Sequence, residues 1–223
     1  SKKYKLTDET IKLNGVTLYR IEALKDFGEI KKGDKGGFIE SENNLAHEGD
    51  AWVSDDACVY GSACVYGDAC VFGCACVYDN ALVSGNGQVY GNARVCGNSR
   101  VYGNARVTDD ACVYGDAYVS GNARVSGDAW VFGDAKVYGN ARVYDDTMVS
   151  DNACVFDNAC VSDNACVSGD ACVSDNACVF GRALTCGDAN IYSNSVVHGD
   201  VTINGDTSIG IDGYIRNKND YYN

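Results

Sequence analysis

From Val53 onward, apolar and polar positions follow a six-residue unit, V-x-G-[ND]-A-x, that runs without insertion or deletion. Stepping by six from Val53 reaches Ile209 in 27 landings, every one Val or Ile except Thr185. Four residues after each landing stands a small side chain, usually Ala, as at Ala57, Ala63 and Ala69. A period of six fits neither the 3.6 of a helix nor the plain alternation of a flat strand, and reads as strand, corner, strand, corner. Ala and Val, two residues apart, point inward, so the residues flanking Val point outward. Gly followed by Asn or Asp supplies the corner, because these residues tolerate the left-handed backbone of a tight turn. The pattern predicts an all-β protein, a single-stranded parallel β-solenoid.

The number of sides follows from the fourth hexad position. On every third hexad it reads Asn86, Asn104, Asn122, Asn140, Asn158, Asn176 and Asn194. The other two corners are mostly acidic there, with Asp110, Asp128 and Asp146 on one, and Asp116, Asp134, Asp170, Asp188 and Asp206 on the other. An unbroken Asn column is the mark of stacked side-chain amides, and its period of 18 sets three hexads per coil. The 27 hexads then make nine coils and a rod about 43 Å long at the usual strand spacing. Each buried Val contributes on the order of 1.5–3 kcal/mol, enough in sum to hold the rod without metal or disulfide.

Residues 1–50 lack the repeat. The segment Ile11–Ile21 is centred on Asn14-Gly15, a dipeptide that favours a two-residue hairpin. An N-terminal β-hairpin cap is expected, since the first coil would otherwise expose its core and an unpaired edge. The expected organisation is a capping β segment over 1–50, the solenoid over 51–210, and a C-terminal cap or truncated tail over 211–223.

The run GGFIESENNLAHEGDAWV, followed by hexads such as VYGNAR and VYGDAY, resembles YdcK-like hexapeptide-repeat proteins, a group classed with acyltransferases, and related phage and prophage proteins. The resemblance spans roughly residues 2–210. It implies a left-handed, triangular β-helix and raises an acyltransferase as one functional reading.

Composition narrows the partners. A formal charge of −13 argues against direct binding to nucleic acid or an anionic membrane, which require clustered Lys and Arg. No apolar run approaches the roughly 18 residues of a membrane span, and SKKYKLTDET lacks the apolar stretch of a signal peptide. Proline is absent, which suits a body whose backbone N–H groups join ladders. Thirteen cysteines are an odd number, and ten of them fall at the sixth hexad position, so they belong to the surface pattern and are expected as reduced thiols in a cytoplasmic protein. The pairs Cys58/Cys76, Cys154/Cys172 and Cys160/Cys178 stack 18 apart, within reach of a disulfide under oxidation. Neighbouring hexads point from different sides, so Cys154, Cys160 and Cys166 do not converge on zinc, and neither metal nor cofactor is expected. Cys74, at a corner, stands outside the pattern and is the candidate reactive thiol.

Sorting outward positions by side gives three surfaces. The side of Val59, Val77 and Val95 displays an apolar strip interrupted in charge only by Arg94, with Cys112, Tyr114, Trp130, Phe132 and Met148 at its middle. A strip of that size is expected to meet another surface, either a further copy of the chain or another protein. The side of Val107, Val125 and Val143 stacks Arg106, Arg124 and Arg142 near the Asp110, Asp128 and Asp146 corner. Two readings stand: ion pairs that relieve like-charge repulsion, or an anion-binding strip that uses the guanidinium fork. The third side mixes Tyr102, Tyr118, Lys136 and Tyr138.

The function that fits these features is a non-catalytic structural or interaction solenoid that forms homo-oligomers, in the manner of a phage or prophage accessory protein. The acyltransferase alternative, taken from the resemblance, needs a histidine base near an intersubunit cleft. The chain offers only His47, at a position equivalent to a core Val, and His198. Two histidines per chain also fall short of the three-histidine metal site of γ-class carbonic anhydrases. An acidic nucleic-acid mimic is the further alternative. B-DNA of this length carries about 25 charges at one per about 1.7 Å, against −13 here. Ice binding is excluded, because the outward positions hold no array of matched Thr.

Overall fold

Each hexad contributes a two-residue strand, one outward residue followed by the inward Val, from Trp52–Val53 and Cys58–Val59 through to Tyr214–Ile215. The computed structural model describes residues 1–217. The third residue of every hexad from Asp55 to Ile211 has positive φ, between 49° and 82°, so the chain turns at every one of these positions. Strands one coil apart pair in parallel and in register, as Val59 with Val77 and Val77 with Val95. The strands fall into sheets of twelve, ten and nine strands, wound into a parallel β-solenoid of about ten turns. The only helix among the described residues is the single 3-10 turn Glu42–Asn44.

The Val and Ala columns form one continuous core in which nearly every member is fully buried. Where the Ala position carries a hydroxyl, the side chain turns back to the carbonyl three residues earlier: Ser99 to Cys96 (2.7 Å), Thr147 to Tyr144 (2.6 Å) and Ser195 to Tyr192 (2.6 Å). Thr185, in the Val column, is buried with its Oγ1 unpartnered among the described residues.

The corners are tied by side chains as well as backbone. The Asn column is a one-way amide chain in which each Nδ2 donates to the Oδ1 of the next coil at 3.0–3.1 Å, from Asn86 through Asn194. It ends on Asp212, a carboxylate that can only accept. Where Asp occupies the positive-φ position, its Oδ2 accepts the backbone N–H one coil on, as from Asp79 to Gly97 (3.1 Å) and from Asp109 to Gly127 (3.1 Å).

The N-terminal end is closed by the expected hairpin. Strands β1 (Tyr4–Leu13) and β2 (Val16–Ala23) pair antiparallel about Asn14-Gly15, both at positive φ, and β3 (Lys35–Ile39) joins them to the Cys58–Val59 rung. Tyr4, fully buried, donates its hydroxyl to the Leu45 carbonyl at 2.7 Å. Asn44 sits over the first coil and donates to the carbonyls of Gly61 and Ala63.

Two details differ from the sequence reading. Leu45, not His47, occupies the core position below Val65, because the step from Leu45 to Val53 is eight residues rather than six. The extra two residues put the His47 ring outside the core column, stacked on Tyr4 at 4.3 Å. The coil also runs past Ile209: Tyr214–Ile215 pairs with Val196–Val197, and Ile215 is buried. Of the expected tail, residues 218–223 lie outside the described residues.

Candidate functional site

The solenoid rung fixes where each outward side chain stands. On the side of Val59, Cys112, Trp130 and Met148 are consecutive, directly paired positions. Tyr114 stacks on Phe132 (4.9 Å between ring centres, 1° between planes) and meets Trp130 edge-on at 6.1 Å. The five apolar candidates read from the sequence therefore form one cluster. Trp130 is 47% exposed and Met148 43%, so the centre of this cluster is open.

Arg106, Arg124 and Arg142 pair in register, one per coil, and all three are exposed. Among the described residues Arg106, Arg124 and Arg142 form no ion pair with the neighbouring acidic corner. Asp110 instead accepts from Asn92 (3.0 Å), within its own corner column. Three like charges thus stand one strand spacing apart with no carboxylate in ion-pair contact among the described residues.

All thirteen cysteines are free thiols. Cys58 and Cys76 are paired neighbours, as are Cys154 with Cys172 and Cys160 with Cys178. A hydrogen bond from the Cys58 thiol, helped by the Arg94 guanidinium, lowers the Cys76 pKa to about 7 against the opposing effect of burial. Cys58 itself is pushed up, by the same hydrogen bond and by burial. Cys76 therefore has physical grounds for reactivity, and Cys74, the thiol singled out by the sequence, stands exposed at its corner. The signal of Cys76 in the sequence is a partner thiol one coil before it and Arg94 one coil after it.

Both histidines are held in structural contacts. His47 Nδ1 accepts the Lys3 backbone N–H (3.2 Å), and its Nε2 lies 3.3 Å from Glu42. His198 stacks on Phe180 at 4.8 Å, and its Nε2 is 2.7 Å from the Tyr214 hydroxyl. Among the described residues no group of His, Cys, Asp and Glu is arranged to hold a metal ion.

The third side holds Tyr102, Tyr118, Lys136 and Tyr138 together around a cleft, with Ser120 in its lining. The sequence places these four residues on one side, but the cleft between them appears only in the structure.

Four segments of the chain, residues 87–102, 99–115, 117–133 and 135–151, match the model of the YdcK Beta solenoid repeat. The chain carries YdcK-type repeats. No curated protein matches the chain. The YdcK-type segments are the coils that carry the arginine triad, the Trp130 cluster and the tyrosine cleft.

Proposed function

We propose that this solenoid of YdcK-type repeats is a structural and interaction rod that self-associates through the face of Trp130. The observation that carries the reading is the open pair Trp130 and Met148, directly adjacent across the ladder and flanked by Cys112, Tyr114 and Phe132. Large apolar side chains cost little when scattered over a surface, but a contiguous set on a rigid sheet loses unfavourable water contact when a second surface covers it. A flat two-fold contact between copies fits a strip that is alike on every copy. Within the same reading, the unpaired Arg106, Arg124 and Arg142 offer an anionic partner an electrostatic contact on another side of the rod. A cytoplasmic setting and a phage or prophage role accompany this proposal as context rather than as its basis.

Light scattering on the reduced protein tests it. Association is expected for the native chain, persisting at high salt because the contact is apolar, and reduced to monomer by Trp130→Glu. Association abolished by salt but kept by Trp130→Glu would transfer the contact to the arginine side. A native chain that is monomeric at every concentration would remove the proposal.

A further inference from the structure

Aromatic side chains one coil apart stack face to face along this rod. Among the described residues five pairs do so: Tyr60–Tyr78, Phe72–Tyr90, Tyr114–Phe132, Tyr138–Phe156 and Phe180–His198, with ring centres 4.6–5.1 Å apart and planes within 8° of parallel. The strand spacing itself imposes this arrangement, since rings on adjacent rungs are held at about 4.8 Å.

On the side of Val101, the position after each core residue reads Tyr66, Ser84, Tyr102, Ser120, Tyr138, Phe156, Ser174, Tyr192. At Ser84, Ser120 and Ser174 the aromatic column is short of one ring, and the rung beyond Ser174 carries Asn190 where the rungs beyond Ser84 and Ser120 carry a cation. The rings on either side are two rungs apart, about 9.6 Å at the usual spacing. A planar guest placed midway would sit about 4.8 Å from each, the separation that the chain's own stacked rings adopt.

The gaps at Ser84 and Ser120 are cavities with the same construction. The one at Ser120 has a volume of about 360 Å³ and is lined by Tyr102, Tyr118, Ser120, Lys136 and Tyr138. The one at Ser84 has a volume of about 240 Å³ and is lined by Tyr66, Leu82, Ser84, Arg100, Tyr102 and Tyr118. The walls are braced: Phe156 backs Tyr138 (5.0 Å), and Tyr118 meets Tyr102 edge-on (6.4 Å, 89°). Each cavity has one cation on the rung one coil beyond its serine, Arg100 for Ser84 and Lys136 for Ser120. Arg100 reaches over the Tyr118 ring, 5.6 Å from its centre, and neither cation forms an ion pair among the described residues. In a chain of net charge −13, a cation without an ion-pair partner at each of these two cavities selects for a guest that brings its own negative charge.

We propose that these two slots bind small planar aromatic acids, one ring per slot, with the ring between two tyrosines and its carboxylate or phosphate at Arg100 or Lys136. Ring stacking on both faces supplies affinity, and the cation fixes which end of the guest faces it. The site is on a different side from the Trp130 cluster and does not depend on self-association.

Calorimetric titration with 2-naphthoate, cyclohexanecarboxylate and 2-naphthyl phosphate tests this. Both aromatic acids are expected to bind at two sites per chain, and the saturated acid roughly tenfold more weakly or worse, because it lacks the stacking faces. Ser120→Tyr restores the missing ring of the column and is expected to lower the stoichiometry from two to one, with thermal stability retained. Lys136→Gln is expected to weaken one of the two sites. Equal binding of the saturated acid, an unchanged stoichiometry in Ser120→Tyr, or no binding of either aromatic acid at millimolar concentration would each overturn the proposal.

Discussion

Thr185 is the single exception in the valine column, and it shows what a hydroxyl costs there. Ser99, Thr147 and Ser195 occupy alanine positions beside a turn, where a carbonyl three residues back accepts their proton. Thr185 ends the two-residue strand Leu184–Thr185, where neighbouring carbonyls already belong to the ladder, and its Oγ1 is buried without a partner among the described residues. Thr185→Val, which keeps the shape and removes the hydroxyl, is expected to stabilise the fold by about 1–2 kcal/mol in urea unfolding. No change, or a loss, would mean that the hydroxyl is satisfied. At Cys76 the relevant quantity is thiolate population. Alkylation mapped by mass spectrometry is expected to be half-maximal near pH 7 at this residue, and Cys58→Ala should move that midpoint upward, because the hydrogen bond that holds the thiolate is gone.

The corner is the element on which three-sidedness rests. In the amide column each Asn donates forward and accepts from behind, so an interior member needs both functions. Asn122→Asp leaves Asn104 with an acceptor but gives Asn140 no donor and sets two oxygens against each other. It is expected to cost about 1 kcal/mol, measured as a lower urea midpoint, and more than Asn122→Ala. Equal losses in both variants would reduce the column to a packing feature. This column was legible in the sequence because its period of 18 is unbroken, and so was the core, because Val recurs every six residues. The eight-residue step between Leu45 and Val53 was not, since its two extra residues lie in a polar turn without an apolar marker. Nor was the strand Tyr214–Ile215, whose corner residue is Ile211, a β-branched side chain at φ 49° where the repeat leads one to expect Gly or Asp. The five apolar residues around Trp130 could be grouped from spacing alone. The ring vacancies could not, because a Ser between two tyrosines has meaning only once the rungs above and below it are known.

For the rod as a whole, burial of many thiols sets a pH dependence. Cys64, Cys70, Cys96, Cys112, Cys166, Cys172 and Cys178 are pushed above the ordinary thiol value, in each case chiefly by burial. The unfolded chain ionises these groups near pH 9 while the folded chain keeps their protons, so above that pH the unfolded state binds fewer protons and stability falls. Their contribution is complete below the unfolded value. Lys3, lowered to about 8 by burial, acts in the opposite sense between there and 10.5, as does Cys76 between about 7 and 9.0, but they are two groups against seven. Thermal melts under reductant are expected to give a Tm that declines as the pH rises through 9 and beyond. A Tm that is level or rising across that range would show that the thiols ionise as readily in the rod as in the open chain.

The in-register ladder also governs how a gene for such a rod can grow or shrink. Excising one full triplet of hexads from the repeat, for instance positions 105–122, rejoins the chain with every later side chain on its former side and merely shortens the molecule by one storey. Excising a single hexad would swing everything downstream onto the next side, breaking the tryptophan strip, the arginine stack and the tyrosine column at a single seam. Length variants that keep their surface chemistry must therefore differ by whole triplets of hexads.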